Sequence, residues 1–138
     1  MTLLYLDASA LLKLVVEEAE SQALRSFVGE VDLASSEILF AEAPRALRRM
    51  VARGYAPGPV EAAFEHLARD LEAITLVPVD GGILVHAGSL DGAGLRSLDA
   101  IHVASAKAVR PIEAFVTYDA RQATAAEHAG LRTAAPGT

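Results

Sequence analysis

The stretch Leu3-Leu4-Tyr5-Leu6-Asp7-Ala8-Ser9-Ala10-Leu11 sets the architecture. Four apolar residues run without polar alternation, the pattern of a central strand buried on both faces. Asp7 ends that strand and stands where a side-chain oxygen can cap a following helix. Further β-leaning runs lie at residues 74–79 and 114–117, with a weaker one at 131–134. Between them are longer segments of helical spacing, such as Leu24, Phe27 and Val28, or Val60, Ala63, Phe64, Leu67 and Leu71. Strands alternating with helices imply crossover connections and a mostly parallel sheet covered on both faces, an α/β domain.

Punctuation refines this segmentation. Ser35 or Ser36 is placed to N-cap a helix running towards Arg53 and ended by Gly54. Pro57-Gly58-Pro59 opens the next helix, Ser97 caps one beginning near Leu98 and stopped by Pro111, and Gly130 closes the last. Pro44 conflicts with its surroundings, because a proline inside a helix removes a donor and clashes with the preceding turn at a cost of ~3 kcal/mol. That helix is expected to kink near residues 40–43 or to restart at Pro44. No linker or repeat divides the chain, so residues 1–134 read as one domain and 135–138 as a frayed tail.

Composition bounds the function. The 138 residues are 52 % hydrophobic and 22 % charged, which excludes wholesale disorder. The absence of cysteine excludes disulfides and thiolate metal sites. Asp7 interrupts any signal-peptide core, and no apolar run approaches the ~18 residues of a membrane span. A soluble, cytoplasmic protein with no membrane partner is expected. Twelve basic residues against 18 acidic give a net charge of −6, which argues against gripping nucleic acid by bulk positive charge.

The glycines give neither a phosphate-binding loop nor a dinucleotide fingerprint, there is no nucleophile elbow, and the four histidines lack ligand spacing. Carboxylates are the stronger signal. Asp7 and Asp119 follow strand-like runs, at the carboxyl edge where α/β folds place their sites. Asp99 falls in the first turn of a helix, and Glu42 sits in the apolar run Ile38-Leu39-Phe40-Ala41-Glu42-Ala43. Gathered on one rim, Asp7, Glu42, Asp99 and Asp119 would raise one another's pKa unless a cation neutralised them, and hard oxygen ligands favour Mg²⁺ or Mn²⁺. Taken singly, each has an ordinary structural alternative: a cap, a first-turn acid, a turn residue, or an i+3 partner for Arg45.

Arg45, Arg49 and Arg53 follow Glu42 along one helical stripe, either as a solvated face or as a row of phosphate contacts for RNA. His102 reads as a packed helix residue more readily than as a proton carrier. Ser9 and Thr117 are candidate donors orienting the carboxylates, with local backbone capping as the alternative.

Four segments, Leu4-Tyr5-Leu6-Asp7-Ala8-Ser9-Ala10-Leu11, Ser35-Ser36-Glu37-Ile38-Leu39-Phe40-Ala41-Glu42, Leu98-Asp99-Ala100-Ile101-His102-Val103-Ala104-Ser105-Ala106 and Phe115-Val116-Thr117-Tyr118-Asp119-Ala120-Arg121, together resemble the PIN-domain ribonucleases, specifically the VapC toxins of type II toxin–antitoxin systems. The resemblance implies a three-layer α/β/α fold with Asp7, Glu42, Asp99 and Asp119 forming an acidic pocket. It implies an endoribonuclease dependent on Mg²⁺ or Mn²⁺, with Asp7, Asp99 and Asp119 as ligands and Glu42 holding the metal's water or acting as base. It also implies a homodimer and a cognate VapB-type antitoxin that covers the pocket. Two alternatives stand beside it: a PIN-like module that only binds a partner, and a receiver-type phosphoacceptor domain. The latter wants paired acids after the first strand, whereas Asp7 has no acidic neighbour.

Overall fold

In β1 (Leu3–Leu6), Leu4 and Leu6 face one side of the sheet, Tyr5 faces the other, and all three are buried. The computed structural model describes residues 2–92, 94–109 and 111–138. From β1 the chain runs through α1 (Ala8–Val15), α2 (Ser21–Val28), β2 (Asp32–Ser36), α3 (Leu39–Ala52), α4 (Pro57–Glu72) and β3 (Thr75–Val77). It continues through α5 (Gly81–Ser89), α6 (Ser97–Ala108), β4 (Ala114–Val116), α7 (Ala120–His128) and β5 (Thr133–Ala134). The sheet order is β3-β2-β1-β4-β5, and every adjacent pair is parallel.

The alternation along the strands builds the layers. On one face Leu4, Leu6, Ala114 and Val116 pack with Ala10 of α1 and with Leu24 and Val28 of α2. On the other, Tyr5, Ala34 and Phe115 pack with Val103 and Ala106 of α6 and with Ala125 and Ala126 of α7. Helices α3 and α4 extend the first layer, where Leu39, Leu47, Val60, Leu67 and Leu71 close a cluster around Leu11. Helix α5 packs on α6 through Ile83, Ala87, Ala100, Ile101 and Ala104. The result is a three-layer α/β/α sandwich. None of the described helices is long and apolar enough to cross a membrane.

Strand β2 corrects the sequence reading, which ran a helix from Ser35 or Ser36. Ser35 lies inside the strand, fully buried, with its hydroxyl donating to the carbonyl of Leu6 at 2.6 Å. Ser36 Oγ accepts from the Ile38 backbone at 3.2 Å, but the helix itself starts at Leu39. Ser97 is likewise the first residue of α6 rather than its cap, a position held by Arg96, whose guanidinium has no acceptor to offer. Helix α5, whose amino end is two glycines, is fixed by Asp80 accepting from Ile83 N at 2.9 Å.

Pro44 lies within a continuous α3, so no second helix begins there. The donor it lacks would serve the carbonyl of Phe40, in a turn where Phe40 and Ala41 are exposed and water can serve instead. Gly54, at φ +93, ends the helix in a conformation open to glycine. At the chain end, Tyr118 donates its hydroxyl to the Pro136 carbonyl at 2.8 Å.

Candidate active site

The sheet reverses its direction of growth at β1. Strands β2 and β3 are added on one side and β4 and β5 on the other, so the carboxyl ends of β1 and β4 open at a topological switch point, where such folds bind ligands. Asp7 leaves β1 at this point and Asp119 follows β4 by three residues.

Asp7 is 4 % exposed and heavily hydrogen-bonded. Oδ1 accepts from Ser9 Oγ at 2.6 Å and from Ala10 N at 3.0 Å, the N-cap of α1, while Oδ2 accepts from Thr117 Oγ1 at 2.5 Å. Burial pushes its pKa up, against the hydrogen bonds from Ser9, Thr117 and Ala10. Ser9 and Thr117 thus both donate to the Asp7 carboxylate. Each also ties down the β4–α7 turn: Ser9 Oγ accepts from Tyr118 N at 2.9 Å, and Thr117 Oγ1 accepts from Asp119 N at 3.1 Å.

Glu42 stands on the first turns of α3, half-buried, with Oε1 2.6 Å from His102 Nε2. The other ring nitrogen of His102, Nδ1, is 2.8 Å from the hydroxyl of Tyr5. His102 is a packed residue, 1 % exposed, yet it touches the acid directly.

Asp99 lies in the first turn of α6 and is half-buried. Burial raises its pKa, and the charges of Asp119, Asp7 and Glu42 add to this. All four acids thus share one electrostatic neighbourhood. Asp119 is exposed and caps α7, Oδ1 accepting from Arg121 N at 2.9 Å and from Gln122 N at 3.1 Å. Glu42, Asp99 and Asp119 line a cleft of about 860 Å³, whereas Asp7 is buried away from its wall.

Arg49 and Arg53 line the same cleft, and Arg45, though exposed, does not. Two further arginines do: Arg96 and Arg121. Sequence reasoning assigned neither to the site. Their signal was adjacency, Arg96 to the start of α6 and Arg121 to Asp119.

The donor chemistry fits a hard divalent cation: four carboxylates, one with its pKa raised by burial and by the other three, and no thiolate. Among the described residues, no three acidic or histidine side chains already gather round one point as a metal cage. The arrangement is an open acidic cleft, whose charge a cation would relieve.

A family model described as "PIN domain" matches residues 4–128. The chain is also 38 % identical to Ribonuclease VapC47 of Mycobacterium tuberculosis, over 98 % of each chain. It belongs to the VapC family of PIN-domain proteins. This VapC-family chain is also 36 % identical to Ribonuclease VapC35 over 98 % of each chain, and 38 % identical to Ribonuclease VapC46 over 99 % of each, both of Mycobacterium tuberculosis. The crystal structure of PAE2754 from Pyrobaculum aerophilum matches 96 % of this chain and 90 % of its own, with TM-score 0.63 and 21 % identity. At that identity the likeness carries the fold, the three-layer PIN architecture. Membership of the family sets the receiver-type alternative aside.

Proposed function

We propose that this VapC-family protein is a divalent-metal-dependent endoribonuclease, the toxin of a type II toxin–antitoxin pair acting in the cytoplasm. The observation that carries the reading is the acidic cleft at the switch point, where Asp99 feels Asp119, Asp7 and Glu42 beneath a rim of arginines. Asp7, Asp99 and Asp119, with Glu42, would hold Mg²⁺ or Mn²⁺, which supplies Lewis-acid stabilisation of the charge that builds on the phosphate and on the departing oxygen. The protein contributes position. Ser9 and Thr117 orient Asp7, and the α7 amino end orients Asp119. Glu42 would take a proton from the attacking water. Arg49, Arg53, Arg96 and Arg121 bind the phosphates on either side of the cleaved bond.

Cleavage by Asp7→Asn and Asp99→Asn, compared with wild type in Mg²⁺, Mn²⁺ and EDTA, tests the proposal. Loss of activity in both variants and in EDTA is expected, with products carrying 5′-phosphate and 3′-hydroxyl ends. Full activity in EDTA, or 2′,3′-cyclic phosphate ends, would overturn it. A VapB-type antitoxin is the proposed partner, with a cationic segment laid over the acids, and the active form is a homodimer.

A further inference from the structure

We infer that His102 is a positioning residue for Glu42, held in one tautomer by Tyr5. For its kinetic readout the inference rests on the ribonuclease reading, but its structural readout is independent of it. Two hydrogen bonds run in line from the middle of the sheet to the wall of the cleft. Tyr5 is wholly buried in β1 and its ring stacks on Phe115, centroids 5.2 Å apart, so its hydroxyl has one fixed place. That oxygen is 2.8 Å from His102 Nδ1, and Nε2 of the same ring is 2.6 Å from Glu42 Oε1.

A carboxylate only accepts, so the proton of a neutral His102 ring lies on Nε2, facing Glu42. The phenol, which can donate, then donates to Nδ1. The direction of both bonds follows from the chemistry of the two ends. His102 is 1 % exposed and meets the Tyr5 ring edge-on at 76°, so it cannot turn towards solvent without leaving both partners' bonds unmade.

Glu42 needs such support more than Asp7 and Asp119 do. Asp7 and Asp119 are each fixed by backbone N–H groups at a helix start, as caps. Glu42 has a longer side chain, whose rotamer freedom costs about 1.5–2 kcal/mol to remove. It leaves α3 two residues before Pro44, in the turn that lacks a backbone donor. Its bond to His102 pins one carboxylate oxygen and leaves the other to serve the cleft.

Three variants and one spectrum test this. His102→Leu is expected to lower kcat about 10- to 100-fold, the usual effect of losing a supporting partner, with KM within about twofold. His102→Gln, which returns an N–H to Glu42, should recover most of the loss. Tyr5→Phe keeps the core packed but frees the tautomer, and should lower kcat several-fold although it lies outside the cleft. Nitrogen-15 NMR of histidine in metal-free protein should show the Nε2–H tautomer in wild type and a mixture in Tyr5→Phe. Wild-type kcat in His102→Leu, or a His102→Gln no better than His102→Leu, would overturn the inference. So would an Nδ1–H tautomer, whatever the cleavage assay shows. Wild-type protein that cuts no RNA counts against the ribonuclease reading, and the tautomer alone then decides.

Discussion

Thr117 shows how much one hydroxyl can carry. It donates to Asp7 and accepts from the backbone of Asp119, joining two of the four acids through a single oxygen. Thr117→Val keeps the shape and removes both bonds, leaving a buried carboxylate short of a donor. The expected cost is about 1–3 kcal/mol in urea unfolding, together with a loss of cleavage. A variant as stable and active as wild type would mean that Asp7 does not depend on this contact. Asp99 behaves oppositely, because burial and the neighbouring acids hold its pKa above the ordinary 3.8. A carboxyl shifted upward on folding favours the native state while protonated, and that advantage is lost as pH rises from 3.8 through the folded value. Metal-free Asp99→Asn should therefore be the more stable protein near neutral pH, by about 0.5–1 kcal/mol after solvent screening, or about 2–4 °C in Tm. Its Tm should also fall less than that of wild type between pH 4 and about 7. Equal midpoints throughout would show that the acids do not repel one another. The acids were legible in the sequence because a strand end and a helix start fix where a short carboxylate stands. The Tyr5–His102 contact was not, since it joins residues 97 apart and no local pattern announces it.

At the scale of elements, the reading failed where polar residues are buried. Strand β2 is Asp32-Leu33-Ala34-Ser35-Ser36, with one large apolar side chain, and its two serines imitate a helix start. They are buried because β2 lies between β1 and β3 and the Ser35 hydroxyl satisfies a carbonyl at the end of β1. The strands β1, β3, β4 and β5 were legible as apolar runs at residues 3–6, 74–79, 114–117 and 131–134, and β1 and β4 present apolar side chains to both layers. Helix α3 makes the opposite point, since tertiary packing keeps it whole through Pro44: Leu39, Ala43, Ala46, Leu47 and Met50 all lie buried on its inner face. Pro44→Ala returns a donor to the carbonyl of Phe40. It should raise stability by about 1–2 kcal/mol, less than the full interior penalty, because the turn is exposed and proline also stiffens the unfolded chain. An unchanged urea midpoint would show that packing has already absorbed the strain.

For the whole molecule, the net charge of −6 takes on a different meaning once charge is located. Three of the 18 acidic residues line one cleft and a fourth, Asp7, acts on Asp99 from within; the remaining 14 nearly balance the 12 basic ones. Four arginines border that cleft, so the proposed grip on RNA is local rather than global. Replacing Arg49, Arg53, Arg96 or Arg121 with alanine should weaken RNA binding and flatten its salt dependence. Each lost phosphate contact should remove about 0.7 from the slope of log K against log salt. Arg45→Ala, outside the cleft, should leave the slope unchanged; equal effects at all five positions would contradict a localised grip.

The parallel sheet also orders events in time. A ribosome makes Asp7 well before the Thr117 hydroxyl that completes its shell, 110 residues later. At about 5–20 residues per second, some 5–20 s separate the two. Until β4 emerges and inserts beside β1, Asp7 lacks Thr117, Asp119 is absent and the cleft has no second wall. On the function proposed above, cleavage of RNA waits until β4 and the turn carrying Asp119 have folded.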